Sequence, residues 1–169
     1  MANTRFSSAV HLLVALATED TLTSESLGIR LDSHPVVIRR LVADLGDAGL
    51  VTATRGVGGG VRLAKEPTEI GLGAVARAVE FEPAFDLHDL PTKDGHPLDA
   101  HFAAAFLAVQ REATERVLAH LDTLTLTDIV EGTTLRADLA ELLAKGLSNE
   151  EIRTAYRVAG GRMVPVADR

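Results

Sequence analysis

The sequence predicts a mainly α-helical protein with a small β-hairpin. It reads as a winged helix-turn-helix domain, a long helix suited to dimerisation and a helical C-terminal extension. Three observations carry this. Apolar residues recur at three- and four-residue spacing through most of the chain. One glycine-rich stretch, "TRGVGGGVRL" from Thr54 to Leu63, lies between two short runs rich in Val, Leu and Thr. A continuous apolar stripe runs from about Asp99 to Leu121, where roughly 35 Å of helix exceeds what a small domain covers.

The elements follow in order. Phe6, Val10, Leu13, Leu16 and Ala17 place a first helix over Arg5 to Thr18. Thr23 is the expected N-cap of a short second helix, with Glu25 in its first turn and Gly28 weakening it by about 1 kcal/mol. Pro35 suits the first position of a third helix, "PVVIRRLVADLGDAG", whose inner stripe is Val37 or Ile38, Leu41, Leu45 and Ala48. Leu50 to Thr54 and Val61 to Leu63 then form a hairpin closed by glycines. A fourth helix is expected at Leu72 to Glu80, an irregular loop after it, and the long helix next, striped by Phe102, Phe106, Val109, Ala113, Val117 and Leu121. A one-turn helix capped by Thr127 follows, then helices near Leu135 to Lys145 and Asn149 to Val158, and a loose end. The expected division is a DNA-binding domain at 1–80, a loop at 81–98, the dimerisation region at 99–131 and the extension at 132–169.

Composition narrows the function. The 169 residues are 46% hydrophobic and 24% charged, with aromatics at 4%, so alanine and leucine do the packing. There is no cysteine, which excludes disulfides, thiolate zinc sites, cysteine nucleophiles and cysteine-held iron–sulfur clusters. The N-terminal stretch lacks signal-peptide features, and its apolar run ends at Glu19-Asp20, too short to span a bilayer; a cytoplasmic protein is expected. The net charge of −7 argues against nucleic acid, yet Arg30 to Lys65 holds six cations against three carboxylates. Counterion release depends on the cations at a contact face, not on the global sum.

In a winged helix-turn-helix the third helix enters the major groove and the hairpin reaches the backbone or minor groove. That assigns Ser33, His34, Val36, Arg39 and Arg40 of the third helix as DNA-binding residues, with Val36 toward a thymine methyl and an arginine toward guanine. Arg55 reads groove width, Gly56, Gly58 and Gly59 let the backbone come close, and Arg62 adds a phosphate contact. The bland alternatives stay open. The glycines would merely close a hairpin, and one of Arg39 and Arg40 would pair with Asp44 on a solvated face. A dinucleotide loop would lead into a helix, whereas this one leads into a strand. His88, His96 and His101 match no metal motif and read as solvated loop groups; no metal or cofactor is expected. No nucleophile–base constellation marks an enzyme.

Several runs together resemble the Rrf-two family of bacterial transcriptional regulators. They are the "HPVVIRRL" helix, the "AGLV" exit, the "RGVGGGVRLA" wing and the "EIGLGAVARAVE" helix, with "FSSAVHLLVALA" before them and "LAHLDTLTLTDIVE" after. The resemblance covers Arg5 to Glu131 and implies a homodimeric repressor on a pseudo-palindromic DNA operator, with half-sites about 34–36 Å apart. Many family members hold an iron–sulfur cluster on three cysteines between the wing domain and the long helix. Here Phe81 to His101 has none, so the chain resembles the cluster-free branch. Relatives often carry Asn or Ser at the position of His34, and histidine is the poorer cap. The tail after Gly132 has no counterpart. The alternative reading is a winged-helix protein-interaction module that dimerises and docks a partner protein without binding DNA.

Overall fold

The structure, a computed structural model, describes residues 4–54, 56, 58–81, 85, 97–159 and 161–166. Helix α1 (Thr4–Thr18) buries Ala9, Leu12, Leu13 and Leu16, the inner face of its apolar stripe. In α2 (Ser24–Arg30) the Thr23 hydroxyl accepts the Ser26 N–H at 3.1 Å, the expected cap, and Arg30 pairs with Glu19 at the end of α1. α3 (Pro35–Asp47) buries Ile38, Leu41, Val42 and Leu45. Its inner stripe runs through Ile38; Val37 is 53% exposed and Ala48 is also exposed. The helix closes on a six-to-one bond from Leu50 N–H to the Leu45 carbonyl (2.9 Å).

The wing is the antiparallel pair β1 (Val51–Thr54) and β2 (Gly60–Leu63), in register Val51↔Leu63 to Thr54↔Gly60. Leu22, before α2, adds a short third pairing: it donates to Val61 at 3.0 Å and accepts from it at 2.8 Å. Val51 and Val61 turn inward to the core, so the hairpin is pinned at its base and carries exposed residues toward its tip. A 3-10 turn (Pro67–Glu69) leads to α4 (Leu72–Ala78).

Beyond α4 the long α5 (Pro97–Leu121) and α6 (Leu126–Ala144) are joined to the wing domain by a backbone strap. Leu72 N–H donates to the Leu124 carbonyl (2.9 Å), and Leu126 N–H donates to the Ile70 carbonyl (2.8 Å), so Gly71 and Thr125 face each other as an antiparallel pair. Leu126 is fully buried in the same core as Leu12, Leu13, Ile38, Leu45 and Val75. Thus the wing domain's core includes a residue from the segment that follows the long helix. Arg77 of α4 makes a two-bond ion pair with Asp122 at the strap. Hydrogen bonding from Arg77 holds the Asp122 carboxyl below its ordinary range. A Cβ on Gly73 would fall 1.9 Å from Asp122 Oδ1 and 3.1 Å from its backbone nitrogen, so only glycine lets the strap lie this close.

Four expectations for the C-terminal region are corrected. No break separates a one-turn helix from a later one, because α6 runs unbroken from Leu126 to Ala144. Its N-cap is Thr125, whose capping box with Asp128 starts the helix two residues before Thr127; the Thr127 hydroxyl is buried without a hydrogen-bond partner. The final helix α7 (Asn149–Ala155) is shorter than expected, and the described part of the expected loose end, residues 161–166, is structured. Tyr156, Val158 and Val164 suit strands better than helix, and they lie in a hairpin, β3 (Tyr156–Ala159) with β4 (Arg162–Pro165). It docks on α6 through a fork of Arg162 Nε and Nη2 on Asp138 (2.7 and 2.8 Å) and the Met163 N–H on the same carboxylate (2.9 Å). α6 therefore crosses the expected boundary at residue 132 as one rod.

Gly73→Ala is expected to push Asp122 out of its pair and lower the thermal midpoint by several degrees. On an Asp122→Ala background the same change should cost much less, because the crowded carboxylate is gone. Equal losses on both backgrounds, read by differential scanning calorimetry, would refute the strap geometry.

The depressed carboxyls of Asp122 and Asp138 have folded pKa values below their unfolded ones. Their stabilisation is complete above the ordinary carboxylate range and is lost as pH falls through the folded values. An acid titration of Asp138→Asn should therefore show a smaller loss of stability on acidification than the parent.

Candidate nucleic-acid interface

The exposed side of α3 and the wing form one surface. At the start of α3 the His34 ring caps the helix: Nδ1 accepts the Val36 N–H at 3.2 Å. The cap forms although histidine ranks below Asn and Ser, and it leaves the other ring nitrogen, Nε2, outside the cap. Ser33 is half-buried in the turn before it, and His34 is exposed.

Along α3, Val36 (41% exposed) and Arg40 lie one turn apart, opposite the buried Ile38–Leu45 stripe. Arg39 turns toward the wing and lines a cleft of about 580 Å³ between α3 and the hairpin. Ala43, Asp47, Thr54 and Gly59 share that cleft, together with Thr23 and Ser24 from the start of α2. Thr23 and Ser24 escaped the sequence reading, whose signal there was only a helix cap.

The question of Asp44 has a clear answer. Asp44 pairs with Arg5 of α1, and Arg5 also reaches Glu80 at 3.9 Å. Arg39 and Arg40 make no ion pair or hydrogen bond among the described residues, and both are exposed. The carboxylate that would have neutralised one of them is held by the opposite helix.

In the wing, Gly56 and Gly58 have φ of 103° and 79°, the left-handed region that side chains avoid, and Gly59 N–H donates to the Gly56 carbonyl (2.9 Å). The tip is therefore a glycine-built turn with exposed backbone at 56 and 58. Arg62 is exposed, and its Nε donates to Thr52 Oγ1 across the strands at 3.2 Å, leaving its terminal nitrogens toward solvent. Arg55, the expected groove reader, lies outside the described residues, as do His88 and His96. His101 is exposed on α5, and among the described residues no three His, Cys, Asp or Glu side chains gather as a metal site.

Comparison with known proteins agrees with this geometry. Residues 2–132 match the family described as Rrf2, iron-dependent transcriptional regulator. The chain is 36% identical over 131 residues to the HTH-type transcriptional regulator NsrR of Geobacillus kaustophilus, covering 78% of this chain and 86% of that protein. It resembles the solved structure of IscR from T. potens at a TM-score of 0.58 and 25% identity, over 79% of this chain and 88% of that one. A structure from Lactobacillus plantarum shares the fold at a TM-score of 0.66 and 22% identity, covering 85% of this chain and 98% of the other.

Replacing His34 by Ala removes the acceptor for the Val36 N–H and should destabilise the protein by about 1 kcal/mol, whereas His34→Asn keeps a capping oxygen and should cost only a few tenths. Urea denaturation of the two variants checks this.

Proposed function

Because the chain belongs to the Rrf2 family of transcriptional regulators, DNA-binding proteins and not enzymes, we propose that it is a homodimeric, sequence-specific repressor that works without an iron–sulfur cluster. The observation that carries the reading is the pair of unneutralised arginines on α3 beside a glycine-tipped wing, in a chain of net charge −7.

The two arginines divide the work. Arg40 shares the outermost face of α3 with Val36 and reads base edges, the arginine toward guanine and the valine toward a thymine methyl. Arg39 faces the cleft between helix and wing and meets phosphate there with the wing backbone, while Arg62, on β2 outside that cleft, adds a separate phosphate contact. His34 and Ser33 sit where α3 enters the groove. Arg55 at the wing tip completes the set as a minor-groove contact.

Dimerisation rests on α5. From 101 to 121 this helix has no fully buried residue, and Phe102, Leu107 and Val109 are 45%, 46% and 60% exposed. Phe106 packs tilted against Phe102 (5.7 Å) and edge-on to Phe85 (5.5 Å), making an aromatic end to the stripe. A 25-residue helix exposing so much apolar surface in a single chain is stabilised by a second copy, and α5 against α5 supplies it. Two α3 helices then sit about one helical turn of DNA apart, which requires a pseudo-palindromic operator. Where the operator overlaps a promoter, such a dimer excludes polymerase, which is the repressor reading.

The family's description names iron. The donor set does not fit a thiolate-held centre, since the whole chain lacks cysteine. No step is routed through such a group.

A second reading, a protein-docking module, draws on the docked β3–β4 hairpin, which lies outside the matched 2–132 segment. It predicts a stoichiometric partner and no operator.

The test is selection of bound duplexes from a random pool by the full-length protein. The parent is expected to enrich one pseudo-palindrome. Arg40→Ala should relax one base pair of each half-site by about 1–3 kcal/mol. Arg39→Ala should weaken all sequences alike and lower the salt slope by about one per half-site. Enrichment of no sequence would overturn the function, and identical behaviour of both variants would overturn the division of roles.

Phe102→Asp with Val109→Asp, both on the exposed stripe, should leave the wing domain folded by circular dichroism but give a monomer in sedimentation, with operator affinity falling at least about a hundredfold.

A further inference from the structure

The first turn of α3 carries a second exposed apolar group. Ile38 takes the core position that helical spacing also allowed Val37, and Val37 is left 53% exposed beside Val36 at 41%. Both are isopropyl groups on the end of the helix that a winged helix-turn-helix turns toward base edges.

That end has no free backbone donor. Pro35 lacks an N–H, and the Val36 N–H is held by His34 Nδ1 at 3.2 Å. The Val37 and Ile38 N–H groups donate to the His34 carbonyl at 2.9 and 3.3 Å. The first turn therefore does not grip a phosphate through its backbone, as an uncapped helix start does. The Ser33 hydroxyl and His34 Nε2 lie ahead of the helix. Within the turn itself, α3 puts forward two branched hydrocarbon side chains. In the major groove the apolar feature of a base pair is the 5-methyl of thymine.

The position of Val37 says which methyl it meets. At about 100° per residue it lies about 60° round the helix from Arg40, on the side away from Arg39 and the wing. Asp44, seven residues on, shares that flank and is paired there with Arg5 of α1. The flank is thus closed at its far end and open at Val37. A side chain on the flank of a helix in the groove meets the groove's edge, and the thymine methyl lies at that edge, near the backbone of its own strand.

We infer that Val37 is a specificity-determining residue: it packs on the 5-methyl group of a pyrimidine at the edge of the groove away from the wing, beside the methyl met by Val36. Each operator half-site then has two pyrimidine positions read through their methyl groups. At these positions a cytosine methylated at C5 is preferred to plain cytosine, because its methyl sits on the same ring carbon as that of thymine. This rests on the regulator reading.

The probe is the duplex enriched by the full-length protein, with thymine replaced one position at a time by 2′-deoxyuridine, which removes only the methyl. Affinity is read by fluorescence anisotropy at one fixed salt concentration. The parent is expected to lose about threefold to fourfold at each of two positions in one half-site, and about tenfold when a position is changed in both half-sites. At one of the two, the loss should vanish in Val37→Ala and persist in Val36→Ala. At each, a C·G pair should bind the parent about threefold to fourfold more tightly with 5-methylcytosine than with cytosine. Circular dichroism should show Val37→Ala folded, since the side chain is exposed. The inference is overturned by fewer than two methyl-sensitive positions per half-site, by equal affinity for cytosine and 5-methylcytosine, or by losses that Val37→Ala leaves undiminished at every position. The first two outcomes need only the parent, so a variant that fails to fold does not shelter the inference. All three leave the regulator reading standing, because an operator is bound; enrichment of no duplex overturns both.

Discussion

The strap between residues 70–73 and 122–126 is the constraint on which the rest of the structure depends. Two backbone hydrogen bonds of 2.9 and 2.8 Å, one fully buried leucine and one ion pair hold the end of α5 and the start of α6 against the wing domain. α5 is otherwise a long rod that packs on its own chain through α4. Without the strap the rod would swing, and nothing would fix the distance from the α5 stripe to the reading face of α3. The backbone pairing suits the task, because it resists sliding in a way that apolar packing alone does not. The ion pair is exposed and contributes little by itself, but Gly73 lets it close over the strap.

A second consequence concerns charge. An acidic chain presents a basic face only if its own carboxylates are kept from the arginines. Arg5 does this by taking Asp44, while Arg30 pairs with Glu19 at the end of α1. The ion pairs of α1 with α3 and with α2 thus tie the three helices together, and the first leaves Arg39 and Arg40 available. Asp47 remains on the wall of the cleft, beside Arg39.

Much of this was legible in the residues, and the exceptions have physical causes. The helices α1 to α4, the hairpin and the extent of α5 followed from apolar spacing, from Thr23 and Pro35 at helix starts, and from the glycine cluster. Those signals are local and agree with the tertiary packing. The choice between Val37 and Ile38 was decided by burial, which spacing alone left open. The pairing of Asp44 was not legible, because its partner Arg5 is 39 residues away and helical spacing offered Arg40 instead. In the tail, "TLTLTDIVEG" hid a continuous helix because Gly132 and two threonines lower its propensity; α6 persists through Leu126, buried in the wing domain, and through the hairpin clasped on Asp138. The hairpin itself was masked by helix-favouring Glu, Arg and Ala just before it, and a bond between Arg162 and Asp138 across 24 residues leaves no local trace.

The account's central claim is that α5 pairs two chains so that their α3 helices stand one turn of DNA apart. Because the chain has no cysteine, Ala43→Cys on the exposed face of α3 gives a single site for a spin label. Pulsed electron–electron resonance on the labelled full-length protein measures the distance between the two α3 helices directly. The account predicts one population centred at about 34–36 Å. A signal without dipolar modulation, as from a monomer, or a population far from that distance would contradict it.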